Sequence, residues 1–524
     1  MKFTSLALLL PLLVTSFSNV AALLKPSIDF NSQRINQTVA NALAEFNTPG
    51  MAVGVVHQNK VIHLKGYGVT DYLKRQPVNE FTQFRLASVT KAFTAASLAM
   101  LVDEGKINWQ DKVTDYLPEF KMQQHWVTGE FTIKDLLTHQ SGLVSGAGDS
   151  MLWPEPSGFS RKEIITNLQY LTPEYSFRSQ YAYSNVMYIT AGELVAKVTN
   201  MSWEDFVDSR ILKPLNMLCF AGDMPTAKLN NIAIPHGDKD GEMFYIHRNG
   251  IHGVKTVSAA AGGMVCNASS MVNWMTMLLN KGQNQDGEQL ISEEQIALMW
   301  QPHTILPISE DSKDWDNTFF RTYGLGWRQH NMHGHRVISH TGTLSGMQAY
   351  IVLVPSLELG VIVLNNGSNW GARTAVMQSV VKSFLPQLTV RDWVATITEI
   401  QQQDEQEYLD KYVKPSGSNQ VIKPINTYVG DYTDTWFGTM RVAMQEGKLR
   451  ISSSKMSKLI GTLQPFNDHT FVARWDDSNA ANDAFVHFSL DVNGLVTGFN
   501  MHPYTVKQKT NHEWRDMSFI KEQQ

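Results

Sequence analysis

Phe84-Arg85-Leu86-Ala87-Ser88-Val89-Thr90-Lys91, running on into Ala92-Phe93-Thr94-Ala95-Ala96-Ser97-Leu98-Ala99-Met100, is the stretch on which the reading of this 524-residue chain turns. A helix is expected over 88–104. Val89, Phe93, Ala96 and Met100 fall on one face, and Gly105 stops it. Ser88 and Lys91 stand at i and i+3 and therefore share a side of that helix. A serine hydroxyl is a weak nucleophile until a base takes its proton. At a helix start it also gains from the positive end of the helix dipole, which favours a developing anion. The four-residue S-x-x-K pattern alone often marks an ordinary helix start. It recurs at Ser379–Lys382, Ser452–Lys455 and Ser518–Lys521, which read as a helix surface, a β-domain loop and the chain end. The first occurrence differs in the long apolar helix behind it.

Two further groups of residues fit the same chemistry. Tyr183-Ser184-Asn185, with Tyr181 just before it, reads as a turn when taken alone. A tyrosine can act as general base if nearby cations lower its pKa. Lys91 is the expected cation, and His340 adds charge only when protonated. Asn185 can donate to a substrate carbonyl. His340-Thr341-Gly342-Thr343 follows a strand-like run over 335–339. There Thr341 can bind a substrate carboxylate, and Gly342 lets a substrate backbone lie close to the strand. The backbone N–H of Thr343, paired with that of Ser88, can form an oxyanion hole.

These three elements, in this order, resemble the class C β-lactamase and serine DD-peptidase family of penicillin-binding-protein-like serine hydrolases. Supporting stretches resemble it too: Leu136-Leu137-Thr138-His139-Gln140-Ser141-Gly142-Leu143, Ala261-Gly262-Gly263-Met264 and Tyr323-Gly324-Leu325-Gly326-Trp327. The resemblance covers about residues 37–385. It implies an α/β (α+β) domain, an antiparallel sheet flanked by helices plus an all-helical region. It implies that Ser88 attacks an amide or ester carbonyl and is acylated, that Lys91 and Tyr183 handle the protons, and that water releases the acyl group. No metal or organic cofactor is implied. Class C β-lactamases usually carry Lys where this chain has His340, whereas related DD-peptidases and D-aminopeptidases tolerate His. The expectation is a peptidase or esterase acting on small peptide, amide or ester substrates, including D-amino-acid or cell-wall peptides, with His340 as a specificity switch. The alternatives are a penicillin- or cell-wall-peptide-binding protein with little turnover, or a true class C-like β-lactamase.

Composition bounds the rest. Hydrophobic residues make up 43% and charged residues 18%, an ordinary globular balance, and the net charge is −5. No basic run is present to engage nucleic acid, so that class is set aside. Residues 1–22 read as a signal peptide: Lys2, a short apolar stretch over 6–14, and small residues at Val20-Ala21-Ala22. The apolar stretch is short for a membrane span, so a secreted or periplasmic protein is expected, with no integral span after cleavage. Cys219 and Cys266 are the two cysteines. Export permits a disulfide, but two separate buried thiols is the favoured reading. A zinc site from His333, His335 and His340 is disfavoured, because on an extended segment His335 and His340 point to opposite faces. His139 reads as a structural hydrogen-bonding residue, and no G-x-S-x-G of an α/β-hydrolase appears.

Along the chain, 51–56 and 60–64 read as a strand pair joined at Gln58-Asn59. Residues 348–355 and 360–365 read as central strands, followed by a helix over 372–384. The polar stretch 391–412 reads as a linker helix. Beyond Ile425, alternation at Met440, Val442 and Met444, and the Asn493-Gly494 hairpin signal, indicate a small all-β domain. That tail resembles the lipocalin-like β domain appended to such hydrolases. The expected organisation is signal peptide 1–22, hydrolase 23–390, linker 391–424 and a barrel-like β domain 425–524. The tail can cap the cleft or mediate oligomerisation.

Overall fold

The residues over 50–56 are mostly small or β-branched and are buried on both faces, which places them in the middle of a sheet. The structure, a computed structural model, describes residues 30–222, 230–239, 241–246, 256–385, 391–477, 479–504 and 514–523. The expected signal peptide lies outside the described residues. Strand β1 (Gly50–His57) turns through Gln58 and Asn59, both at positive φ, into β2 (Lys60–Gly68). The sheet is completed by β3 (Thr304–Ile305), β4 (Arg321–Tyr323), β5 (Arg328–Met332), β6 (His335–Leu344), β7 (Met347–Val354) and β8 (Leu359–Asn365). Its order is β2-β1-β8-β7-β6-β5-β4-β3, antiparallel throughout.

Alternation along β1 divides the core into two layers. Met51, Val53 and Val55 face helices α1 (Ser32–Glu45) and α5 (Trp370–Lys382), while Ala52 and Val56 face the main core. That main core holds α2 (Thr90–Asp103), α3 (Asn185–Thr199) and α4 (Ala268–Leu279). Helix α2 is not amphipathic. Every residue from 82 to 101 except Ser88 is buried, because the helix runs between the sheet and the helical layer and is covered on all sides. It starts two residues later than expected, since Ala87–Val89 form a 3-10 turn. Gly105 ends it at φ +66°.

The two cysteines are not separate thiols. Short strands Phe84–Arg85 and Phe220–Ala221 both pair with Met264–Cys266. The register Phe220↔Val265 brings Cys219 opposite Cys266, and the two form a disulfide.

Helix α6 (Trp393–Lys411) buries Trp393 and Ile397 against the α1–α5 layer and leaves most of its remaining length in solvent. The C-terminal unit is a closed barrel of eight strands. They are β9 (Gly430–Asp434), β10 (Gly438–Gln445), β11 (Lys448–Ser453), β12 (Ile460–Asp468), β13 (Thr470–Trp475), β14 (Ala484–Leu490), β15 (Val496–Pro503) and β16 (Phe519–Lys521). The ring runs β12-β11-β10-β9-β16-β15-β14-β13 and returns to β12, which leaves no open edge. Its interior is filled by side chains such as Tyr432, Phe488 and Phe499. Among the described residues no helix is long and apolar enough to cross a membrane.

Candidate active site

Ser88 is presented by a strained turn. Ala87 sits at φ +49°, a region costly for a residue with a side chain. That bend lifts Ser88 out of the buried run and into a cleft of about 740 Å3. One turn on, Lys91 is fully buried. Its Nζ lies 2.6 Å from Asn185 Oδ1, 2.7 Å from Ala261 O and 3.4 Å from Ser88 Oγ. Burial holds the Lys91 ammonium well below its ordinary 10.5; Asp149 opposes this shift and Arg328 adds to it. A neutral amine has two N–H donors and one lone pair. Two of the three neighbours can only accept, which leaves the lone pair directed at the Ser88 hydroxyl.

Asn185 caps this arrangement from the start of α3. Its Nδ2 donates to Asp149 at 2.9 and 3.2 Å, which orients Oδ1 toward Lys91. Both bonds run to the one Asp149 carboxylate, and Asn185 itself lines the cleft.

Tyr183 also enters the cleft. Its ring lies 4.7 Å from Lys91 Nζ. Its hydroxyl is buried and makes no regular hydrogen bond, although the Ser88 hydroxyl is close enough to favour the ionised form. The expectation of a lowered pKa fails. Burial pushes the phenol above its ordinary 10.0, and the charge that pulls back hardest is Arg328 rather than Lys91.

The third motif occupies the free part of β6. Strand β5 pairs with β6 only as far as Arg328↔Ser339, so 340–344 run past its end, beside the Ser88 turn. Thr341 and Thr343 line the cleft. At Gly342 a Cβ would collide with the Leu86 carbonyl and crowd Ala87. The glycine is thus required by the turn that carries Ser88. His340 is fully buried and does not line the cleft. Its Nδ1 donates to Thr341 O at 2.7 Å, and its Nε2 accepts from Tyr323 Oη at 3.1 Å. Burial, with Arg328 and Lys91 nearby, keeps it well below 6.5 and neutral.

The supporting stretches hold these parts together. Thr94 Oγ1 bonds Ala260 O, and Thr90 Oγ1 receives Met264 N–H. Gly326, at φ +79°, packs on Lys91 O where a side chain would not fit. His139 Nδ1 accepts from Ser184 N at 3.0 Å, and its ring lies 4.3 Å from that of Tyr183. Its role is to seat the tyrosine.

Sequence reasoning missed Arg328 and Asp149. Arg328 lines the cleft, with Nη2 3.4 Å from Tyr181 Oη and Nη1 without a hydrogen-bond partner among the described residues. The available signal was a single arginine directly after Tyr323-Gly324-Leu325-Gly326-Trp327. His333 and His335 bond Trp315 O and Ser356 and stand away from the cleft.

Residues 35–382 match the sequence model of the family described as Beta-lactamase, and residues 416–519 that of a domain of unknown function, DUF3471. The unguisins hydrolase ungD' of Aspergillus campestris (strain IBT 28561) is 26% identical over 428 residues, 76% of this chain and 75% of that protein. Protein flp of Staphylococcus aureus (strain NCTC 8325 / PS 47) is 26% identical over 342 residues, 64% of this chain. The match spans 63% of the flp protein's length. Among solved structures, the octameric penicillin-binding protein homologue from Pyrococcus abyssi superposes with TM-score 0.61 at 18% identity, covering 94% of this chain and all of that one. A class C beta lactamase from Rhodobacter sphaeroides gives 0.55 at 20% identity, covering 68% of this chain and all of the other.

Proposed function

Because the chain belongs to the β-lactamase family of serine hydrolases, we propose that it is an exported peptidase or esterase that cleaves amide or ester bonds through an acyl-enzyme on Ser88. The observation that carries this reading is the buried Lys91 amine, held by Asn185 and Ala261 and facing the Ser88 hydroxyl. Lys91 takes the Ser88 proton as Oγ bonds to the substrate carbonyl carbon. The resulting oxyanion is held by the N–H groups of Ser88 and Thr343. Tyr183, protonated because its pKa is raised, gives its proton to the leaving nitrogen or oxygen and regains one from Lys91. Water then attacks the acyl carbon and restores Ser88.

Arg328 supplies the substrate preference. An arginine is charged at any working pH, and this one lines the cleft together with Thr341, its Nη1 buried and without a hydrogen-bond partner among the described residues. A substrate carboxylate near the scissile bond fits that place. The neutral, buried His340 supports peptidase or esterase chemistry over β-lactamase activity. The Cys219–Cys266 disulfide supports export, since such bonds persist in oxidising compartments. The barrel is the proposed surface for any self-assembly of the kind named for the Pyrococcus homologue.

A screen of D-amino-acid peptides, their C-terminal amides, β-lactams and short-chain esters tests this. Free-carboxylate peptides should exceed their amides by about 10-fold or more in kcat/KM, and Arg328→Gln should erase that preference. Amides turned over as well as free acids contradict the carboxylate reading. Permanent acylation by penicillin without hydrolysis of any substrate makes the protein a binder instead.

A further inference from the structure

The cleft around Ser88 is not built by the hydrolase domain alone. Lys458 and residues 479–482 of the barrel share its lining with Ser88, Tyr183 and Arg328. Residues 479–482 belong to the connection between β13 and β14. That connection is pinned: Asn479 N and Ala480 N bond Asp477 at 2.9 Å, and Trp475 Nε1 donates to Asn482 O at 3.0 Å. Lys458 Nζ lies 3.5 Å from Asp477 Oδ2.

The barrel is fastened beside the cleft as well. Gly158 N donates to Lys455 O at 2.7 Å, and Ser157 bridges to Met456. Lys455 Nζ pairs with Glu163 Oε1 at 2.6 Å. A side chain at position 158 has no room because the Lys455 carbonyl fills its place. Residues 157–158 lie just past Trp153-Pro154-Glu155, which line the same cleft. The barrel turn is therefore a fixed wall rather than a loose flap.

We infer that this barrel turn is a specificity wall of the site, selecting substrates by the size and polarity of the group that reaches it. The inference rests on Ser88 being the nucleophile. Ala480 and Ala481 keep the wall thin, while Asn479, Asn482 and Lys458 make it polar. A compact peptide-like group finds hydrogen-bonding partners there, and a long apolar chain does not. The cleft volume is that of a small-molecule site, so the substrates are short amides or esters rather than polymer strands.

The test uses the full chain with p-nitrophenyl acetate and p-nitrophenyl esters of N-acetylated mono-, di- and tripeptides. Ala481→Trp thickens the wall and should lower kcat/KM on the tripeptide ester about 10-fold more than on the acetate. Asn482→Ala removes a hydrogen-bonding partner of the peptide group and should lower the same ratio about 3-fold. Unchanged long-to-short ratios in both variants overturn the wall, and Asn482→Ala decides alone if the tryptophan variant does not fold. A small fluorophosphonate that fails to label Ser88 in the unmodified protein overturns the underlying nucleophile reading instead.

Discussion

At the scale of residues, the proton inventory differs between the two expected acid–base groups. Lys91 is buried with its pKa lowered, and Tyr183 is buried with its pKa raised. Lys91 must lose its proton to act as base, so kcat/KM should rise with pH on a limb lying below 10.5. Tyr183→Phe should slow acylation by about 10²-fold yet keep that limb, because the tyrosine stays protonated across it. Lys91→Met should remove the limb. A Tyr183→Phe profile that loses the limb reverses these roles. Ser88, Lys91, Tyr183, Asn185, Thr341 and Thr343 were legible because each sits in a short motif whose residue types suit one chemistry. Arg328 and Asp149 were not. Each enters the cleft singly, and only the pairing of β5 with β6 and the position of Asn185 bring them there.

At the scale of elements, the contact between the Ser88 turn and β6 is the tightest tolerance in the site. Gly342→Ala should force β6 away from Leu86, costing about 1–3 kcal/mol of stability. Because Thr343 moves with it, labelling of Ser88 should slow by about 10²-fold. Thermal unfolding and labelling rates measure both, and a variant with native stability and rate would show that the contact yields easily. Periodicity found the strands around 348–365 because alternation and apolar runs survive in a sheet core. For α2 periodicity marked one face, while the long apolar run indicated the buried helix that Ala92, Ala95 and Ala99 complete on the other sides. The barrel hairpin over 484–503 was legible from its turn. Closure of β9 on β16 joins segments far apart in the chain, and no local signal carries it.

At the scale of the whole molecule, the two folded units act as one body with a thin covalent tether. Besides the Lys455 contacts, Arg515 pairs with Glu174 at 2.6 Å and Asn167 donates to Trp436 O at 3.0 Å. Limited proteolysis should cut first between 412 and 424, where the chain is irregular and mostly exposed or half-buried. The fragments should still elute together on gel filtration. Separation of the fragments, or a first cut within the hydrolase, contradicts this. Acid should weaken the same body. His139 and His340 are neutral in the fold with pKa values well below 6.5, so below about pH 6.5 the unfolded chain binds more protons. Stability from this source is full above that pH and declines as pH falls. The unfolding temperature should drop between about pH 6.5 and 5, and less so in His340→Asn. The disulfide escaped the sequence because distance between cysteines is set by a three-stranded pairing of two- and three-residue strands.

In the proposed reaction Ser88 carries the acyl group. Intact mass and peptide mapping after a brief exposure to an active ester or penicillin test it most directly. One adduct is expected, on the peptide containing Ser88, with neither adduct nor hydrolysis in Ser88→Ala. An adduct on another serine, or hydrolysis that persists in Ser88→Ala, would contradict it.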